Sequence, residues 1–102
     1  MLTYHYGDER PYWQGTVEVN GVKDDMSTGY TFTVQVQTEL GETPVVVKTT
    51  GIVGATEGVF TVGWGNGDLE ITPGQYVASC TARRTADSKD WTVTEPLTVL
   101  PL

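Results

Sequence analysis

The chain has 102 residues, about the size of one small domain, and six Lys and Arg against thirteen Asp and Glu give it a formal net charge of −7. An acidic surface repels phosphate backbones and anionic lipids, which makes nucleic acids and membranes poor partners. A single cysteine, Cys80, excludes an intrachain disulfide, and the first residues contain no apolar run long enough for a secretory or membrane-spanning segment, so we expect a soluble protein made in the cytoplasm.

Composition and periodicity predict an all-β protein. Thr and Val supply 31 of the 102 residues, and their β-branched side chains favour pleated sheets. Alternation of apolar and polar residues predicts about seven strands. In chain order they are Thr3–Tyr6, Trp13–Val19, Tyr30–Gln37, Val45–Thr49, Val59–Trp64, a strand through Tyr76, Ala78, Cys80 and Ala82, and Trp91–Val99. Short antiparallel strands separated by turns indicate an immunoglobulin-like β-sandwich, a single domain over residues 1–102.

Two stretches between the strands need interpretation. The glycines from Gly51 to Gly58 predict a turn. The window Gln75–Glu95 contains no Gly or Pro, and its Ala and Arg content admits a helix over Ser79–Lys89. Alternation keeps the apolar residues of this window on one face only in a strand, so we predict a strand followed by a hairpin tip at Thr85–Asp90.

Catalytic groups are scarce in the sequence. The only histidine, His5, lies close to the N-terminus, and no neighbouring residues form the signature of an activated Ser or Cys. Cys80 falls on an alternating apolar face, where a thiol packs as a small hydrophobe. The glycines of Gly63–Asp68 lack the Lys and the helix of a phosphate-binding loop. We therefore expect no catalytic residue, no cofactor and no enzymatic activity.

Acidic pairs offer the only metal-ligating pattern. Asp8 with Glu9, Asp24 with Asp25, and Asp87 with Asp90 supply the oxygen atoms that calcium prefers. None follows the spacing of a calcium-binding loop, and one Cys with one His cannot complete a zinc site. We interpret these carboxylates as solvated turn residues and expect no metal site.

Aromatic residues are densest near the N-terminus, at Tyr4, Tyr6, Tyr12 and Trp13. Because Tyr and Trp are enriched where proteins bind one another, these four are candidate contact residues for a protein partner. The tryptophans also raise an alternative, stacking of an exposed indole on a sugar. Trp64 and Trp91 continue apolar strand faces, so we expect both to be buried or half-buried.

The C-terminal stretch and one basic cluster complete the candidate interface. Residues 96–102 read Pro-Leu-Thr-Val-Leu-Pro-Leu, and either the last strand continues into the fold or a neighbour covers this apolar stretch. We take Leu100 and Leu102 as candidate contacts. Arg83 and Arg84 belong to a predicted solvated hairpin and would suit bidentate contacts with an acidic partner.

The order of these pieces resembles the immunoglobulin-like sandwich domain of tailed-bacteriophage virion proteins, which includes the N-terminal domain of upper baseplate proteins and small tail-associated sandwich proteins. The similar segments run over most of the chain. They are Gly7-Asp8 with Pro11, Val19–Gly29 leading into Tyr30–Val36, Gly58–Val62, Gly67–Leu69, the Pro-Gly-x-Tyr step Pro73–Tyr76, and Val77–Arg84 followed by a polar hairpin.

The resemblance implies a non-catalytic building block of a phage particle, located in the virion and made in the host cytoplasm. It implies contacts with other virion proteins and a homo-oligomer in the particle, without nucleic acid or membrane as partner. No coiled coil or receptor-binding domain follows the sandwich, which leaves a small tail, head-tail junction or capsid-surface protein beside a baseplate role. The alternative is a capsid-surface decoration or glycan-binding module that attaches the particle to host surface sugars.

Overall fold

The computed structural model describes residues 1–65 and 67–102 and consists of strands. The strands are β1 (Leu2–His5), β2 (Trp13–Thr16), β3 (Tyr30–Gln37), β4 (Val46–Lys48), β5 (Ile52–Gly54), β6 (Val59–Val62), β7 (Gly74–Arg84) and β8 (Lys89–Leu100). A single 3₁₀ turn at Thr56–Gly58 is the helical element of the described residues. The all-β prediction is confirmed, and so is the choice of a strand over a helix at Ser79.

Two sheets pack face to face as a β-sandwich, as predicted. The first has five strands in the order β1-β8-β7-β3-β4, and the second has three in the order β2-β6-β5. The β7–β8 hairpin is the longest pairing, with an unbroken register from Gly74 opposite Val99 to Arg84 opposite Lys89. The hairpin tip falls within the predicted Thr85–Asp90. Neighbouring strands are antiparallel except β1, which lies parallel to β8.

Strand β5 is the main difference from the predicted elements, since it lies in the glycine-rich stretch interpreted as a turn. Gly54 is required there by packing, because a Cβ at this position would lie 2.1 Å from the carbonyl oxygen of Met26 and 2.8 Å from the ring of Phe32. The absence of a Cβ at Gly54 therefore lets β5 pack closely against the backbone of Met26 and the ring of Phe32. The predicted strand Trp13–Val19 ends earlier, at Thr16, although the N–H of Val17 still donates to the carbonyl of Gly58.

The core lies between the sheets and follows the predicted alternation. Strand β7 turns Tyr76, Ala78, Cys80 and Ala82 inward, and all four are buried. The facing sheet contributes the inward residues of β2 and β6. The Trp13 and Phe60 rings meet edge to face, with centroids 5.1 Å apart.

A buried hydrogen-bonded network fixes the N-terminal segment to this core. The Tyr4 hydroxyl donates to the carbonyl of Pro11 and accepts from the indole Nε1 of Trp64, both at 2.8 Å. The two rings also pack edge to face, 5.8 Å apart. Burial raises the pKa of Tyr4 above its ordinary value of 10.0, so the phenol stays neutral and can keep donating.

Replacing the Tyr4 hydroxyl tests this network. We expect Tyr4→Phe to lower the free energy of unfolding by about 1 to 3 kcal/mol, because the indole N–H of Trp64 loses its buried acceptor and the Pro11 carbonyl loses its donor. Urea denaturation followed by tryptophan fluorescence measures the change. The matched control is Tyr6→Phe at an exposed position, which should change stability by no more than about 0.5 kcal/mol. Equal effects of the two variants would contradict the role of the network.

Candidate protein-interaction surfaces

The four N-terminal aromatic residues predicted as contacts separate into two buried and two exposed side chains. Tyr4 is 1% exposed and Trp13 is 3% exposed, so both are core residues and their side chains present nothing to a partner. Tyr4 lies in β1 of the five-stranded sheet and Trp13 in β2 of the three-stranded sheet, and each side chain points toward the opposite sheet. Tyr6 and Tyr12 follow and precede these strands and are 36% and 53% exposed. The candidate surface from this segment therefore reduces to Tyr6 and Tyr12.

The apolar C-terminal stretch continues the last strand, one of the two alternatives that the sequence left open. Leu97 and Val99 point into the core and are 1% exposed. Leu100 and Leu102 are exposed, and the backbone of Leu100 accepts a hydrogen bond from Tyr6. Tyr6 and Leu100 therefore lie together at one end of the sandwich.

The basic cluster lies at the other end, on the tip of the β7–β8 hairpin. Strand β7 has 11 residues, which at about 3.4 Å per residue places the tip roughly 35 Å from Leu100. Arg83 holds Asp90 through two hydrogen bonds of 2.7 and 3.0 Å, and Arg84 holds Asp87 through two of 3.0 and 2.6 Å. The guanidinium of Arg84 also covers the Trp91 ring at 5.0 Å. Both guanidinium forks are thus occupied within the chain.

These pairs shift the titration of the hairpin carboxyls. The hydrogen bonds from Arg84 lower the pKa of Asp87 to about 2, and those from Arg83 lower the pKa of Asp90. Since the side chains lie in solvent, the pairs fix the shape of the tip and add little to stability. The sequence did not reveal the Arg83–Asp90 pair, because a tip spanning Thr85–Asp90 would place Arg83 opposite Thr92, whereas the observed tip covers only residues 85–88.

The outer face of the five-stranded sheet is nearly free of charge. Three adjacent cross-strand rows cover its centre, and none contains a charged residue. The rows are Thr33-Thr81-Thr92, Gln35-Ser79-Thr94 and Gln37-Val77-Pro96. Of their members, Ser79 and Gln37 are buried, and the Gln37 amide donates to the carbonyl of Glu42, so the other side chains form the accessible surface. Next to them, Arg83 and Asp90 form a neutral pair, and Val47 of β4 extends the second row. In a chain of net charge −7 this face stands out as an uncharged surface.

A groove lies at the side of the sandwich, where β4 ends and the chain crosses to β5. It has a volume of about 460 Å³ and is lined by uncharged residues. These are Tyr30, Thr31, Phe32, Thr33, Thr49 and Ile52. No pattern in the sequence marks this groove, because it depends on how far β4 runs along β3.

Groups with catalytic or metal-binding potential are dispersed. His5 is exposed on the edge strand β1, and Cys80 is buried, which raises the pKa of its thiol to about 12. The Asp25 carboxylate accepts a hydrogen bond from the backbone N–H of Ser27, and the Asp24 carboxylate accepts one from the Tyr30 hydroxyl. Within residues 1–65 and 67–102, no three His, Cys, Asp or Glu side chains lie together as a metal-binding group.

No protein-family model, curated protein or solved structure matches this chain. Across the same described residues, no helix has the length and apolar character needed to cross a membrane.

The Asp87 carboxyl offers a test of the hairpin tip. We expect an NMR titration to place its midpoint near 2, and Arg84→Gln to move it toward the ordinary value of 3.8. Because the folded pKa lies below the unfolded one, whatever the pair contributes to stability is present above the ordinary pKa and is lost as the pH falls toward 2. Arg83→Gln, which releases Asp90, is the control and should leave the Asp87 midpoint in place. A midpoint that ignores Arg84→Gln would disprove the pairing.

The Cys80 thiol provides a second test. A buried thiol of raised pKa should not react with Ellman's reagent at pH 8 in the native protein and should react fully in concentrated urea. The Thr28→Cys variant adds an exposed thiol on a loop away from the sheet faces and should gain one fast-reacting equivalent. Rapid reaction of the native protein itself would show that Cys80 is accessible.

Proposed function

We propose that the chain is a structural and assembly component of a tailed-bacteriophage virion, a tail, baseplate or head-associated protein that acts through protein-protein contacts. The observation that carries the protein-binding part is the uncharged outer face of the five-stranded sheet. The virion part is supported by the resemblance of the ordered sequence segments to phage sandwich domains.

Charge explains why this face suits assembly. Copies of a chain with net charge −7 repel one another wherever their acidic surfaces meet. The rows of Thr, Ser, Gln and Val across β3, β7 and β8 bring no like charges together, and charged residues are depleted at the centres of protein interfaces. The proposed contact is therefore homotypic, made between copies of the chain in the particle.

The dimensions of the face are compatible with such a contact. Strands about 4.8 Å apart, the longest of which has 12 residues, give a flat area on the order of 600 Å². A standard interface buries about 800 Å² on each partner. Tyr6, Tyr12, Leu100 and Leu102 at the terminal end are the proposed additional contacts, either with another copy or with a different virion protein.

The glycan-binding alternative loses the feature that suggested it. It requires an exposed indole, whereas Trp13 and Trp64 are each 3% exposed and Trp91 is half-buried beneath Arg84. A capsid-surface location is one of the positions that the assembly proposal includes.

A charge introduced into the outer face tests the assembly proposal. We expect Thr94→Asp to shift the protein from oligomer to monomer in light scattering and to reduce its incorporation into phage particles at least tenfold, as detected by antibody labelling. Thr28→Asp places the same charge on an exposed loop and should change neither result. A wild-type chain that is monomeric and absent from particles would refute the proposal, and an oligomer insensitive to Thr94→Asp would remove the sheet face from it.

A further inference from the structure

Strand β3 has one open edge over half its length. It pairs with β7 along all eight residues from Tyr30 to Gln37, but β4 covers its other edge only from Val34 to Val36. The chain then leaves for the second sheet. Residues Tyr30–Thr33 are therefore at the border of the five-stranded sheet, although β3 lies inside it further along.

The backbone groups at this border can be assigned. The carbonyl of Gly29 accepts a hydrogen bond from the N–H of Thr85, so odd-numbered residues of β3 direct their backbone groups toward β7. The N–H and C=O groups of Tyr30 and Phe32 then point away from β7, toward the groove. No hydrogen-bond partner for them is found in the described parts of the chain. Such a row of free donors and acceptors is a template for an added strand.

The groove beside this border has the shape and polarity of a strand position. The inward rings of Tyr30 and Phe32 line it from β3, and Ile52 lines it from the other sheet. The Tyr30 ring is held by a hydrogen bond of 2.5 Å from its hydroxyl to Asp24. An added residue opposite Phe32 would direct its side chain inward to this apolar lining, and its neighbours would direct theirs outward to solvent.

We propose that an extended, uncharged segment of a partner protein binds in this groove as an added strand beside Tyr30–Thr33, in line with β4. The inference rests on the protein-binding role proposed above and identifies a second contact with a different kind of partner. The occupant is a single strand because β4 projects past this border, so the edge of another folded copy cannot reach Tyr30 and Phe32. A single extended segment can lie about 4.8 Å from β3 and form hydrogen bonds with the backbone of Tyr30 and Phe32.

Hydrogen exchange on the free protein is the first test. The amides of Tyr30 and Phe32 should exchange at least a hundredfold faster than those of Thr31 and Thr33, which bond to β7. Equal protection of all four amides would show that the edge is already covered and would overturn the proposal.

Selection of peptides provides the second test. A displayed library of linear, uncharged heptapeptides is selected on the purified wild-type chain, and the enriched peptides are synthesised. We expect bound peptide to slow exchange at Tyr30 and Phe32 at least tenfold, and N-methylation of alternate peptide amides to abolish binding. Failure to enrich any peptide, or enriched peptides that leave these two amides unprotected, would overturn the proposal.

A matched pair of variants separates this site from the sheet face. Thr49→Arg fills the groove and should weaken peptide binding at least tenfold, whereas Thr94→Arg, the same substitution on the outer face, should leave it unchanged. Oligomerisation and incorporation into particles report on the proposed function independently of the peptide. The groove is therefore refuted by unaffected peptide binding in Thr49→Arg even if the chain assembles, and it survives if the chain binds peptide but is absent from virions.

Discussion

The antiparallel pairing of β7 with β8 is the contact on which the other elements depend. Its register is unbroken over the whole of β7, so a single alternation determines which side chains face the core and which face solvent. Strand β3 takes its register from β7, and β1 takes its register from β8. A shift of β8 by one residue against β7 would turn Leu97 and Val99 outward and Thr98 inward, while β7 kept its own inward residues. The two Arg–Asp pairs at the tip favour the observed register at the end where it begins.

The two faces of this sheet have different chemistry for one reason. Alternation that places Val34, Ala78 and Leu97 inside necessarily places the intervening Thr, Ser and Gln residues outside. The polar side chains of these outer residues keep the free protein soluble. Because they carry no charge, removing water from them when a partner binds costs little free energy. A neutral outer face therefore accompanies the core without requiring separate residues. Most charged residues lie in the loops and at the hairpin tip, and Lys48 of β4 and Glu95 of β8 lie in rows other than the three uncharged ones.

The sequence predicted those features that depend on local alternation. Tyr30–Gln37 was predicted with the bounds observed, and the burial of Cys80 and Trp64 followed from their strand faces. Tyr4 and Trp13 were misassigned because aromatic density does not reveal orientation. Tyr4 and Tyr6 have the same strand parity, yet β1 ends at His5 and the following turn carries Tyr6 to the surface. The open edge of β3 depends on where β4 ends, which is decided by the crossing to the second sheet rather than by the residues of β3.

The parallel pairing of the first and last strands constrains how the protein matures. Leu2 lies opposite Leu97, so β1 has no neighbour in its sheet until β8 has left the ribosome. Contacts of such long sequence separation close late and slowly. Until then the core around Tyr4 is incomplete, and the indole N–H of Trp64 lacks its hydrogen-bond acceptor, the Tyr4 hydroxyl. Partly synthesised chains thus lack the finished sandwich, and any assembly that requires the ordered sheet is restricted to chains whose synthesis has passed β8.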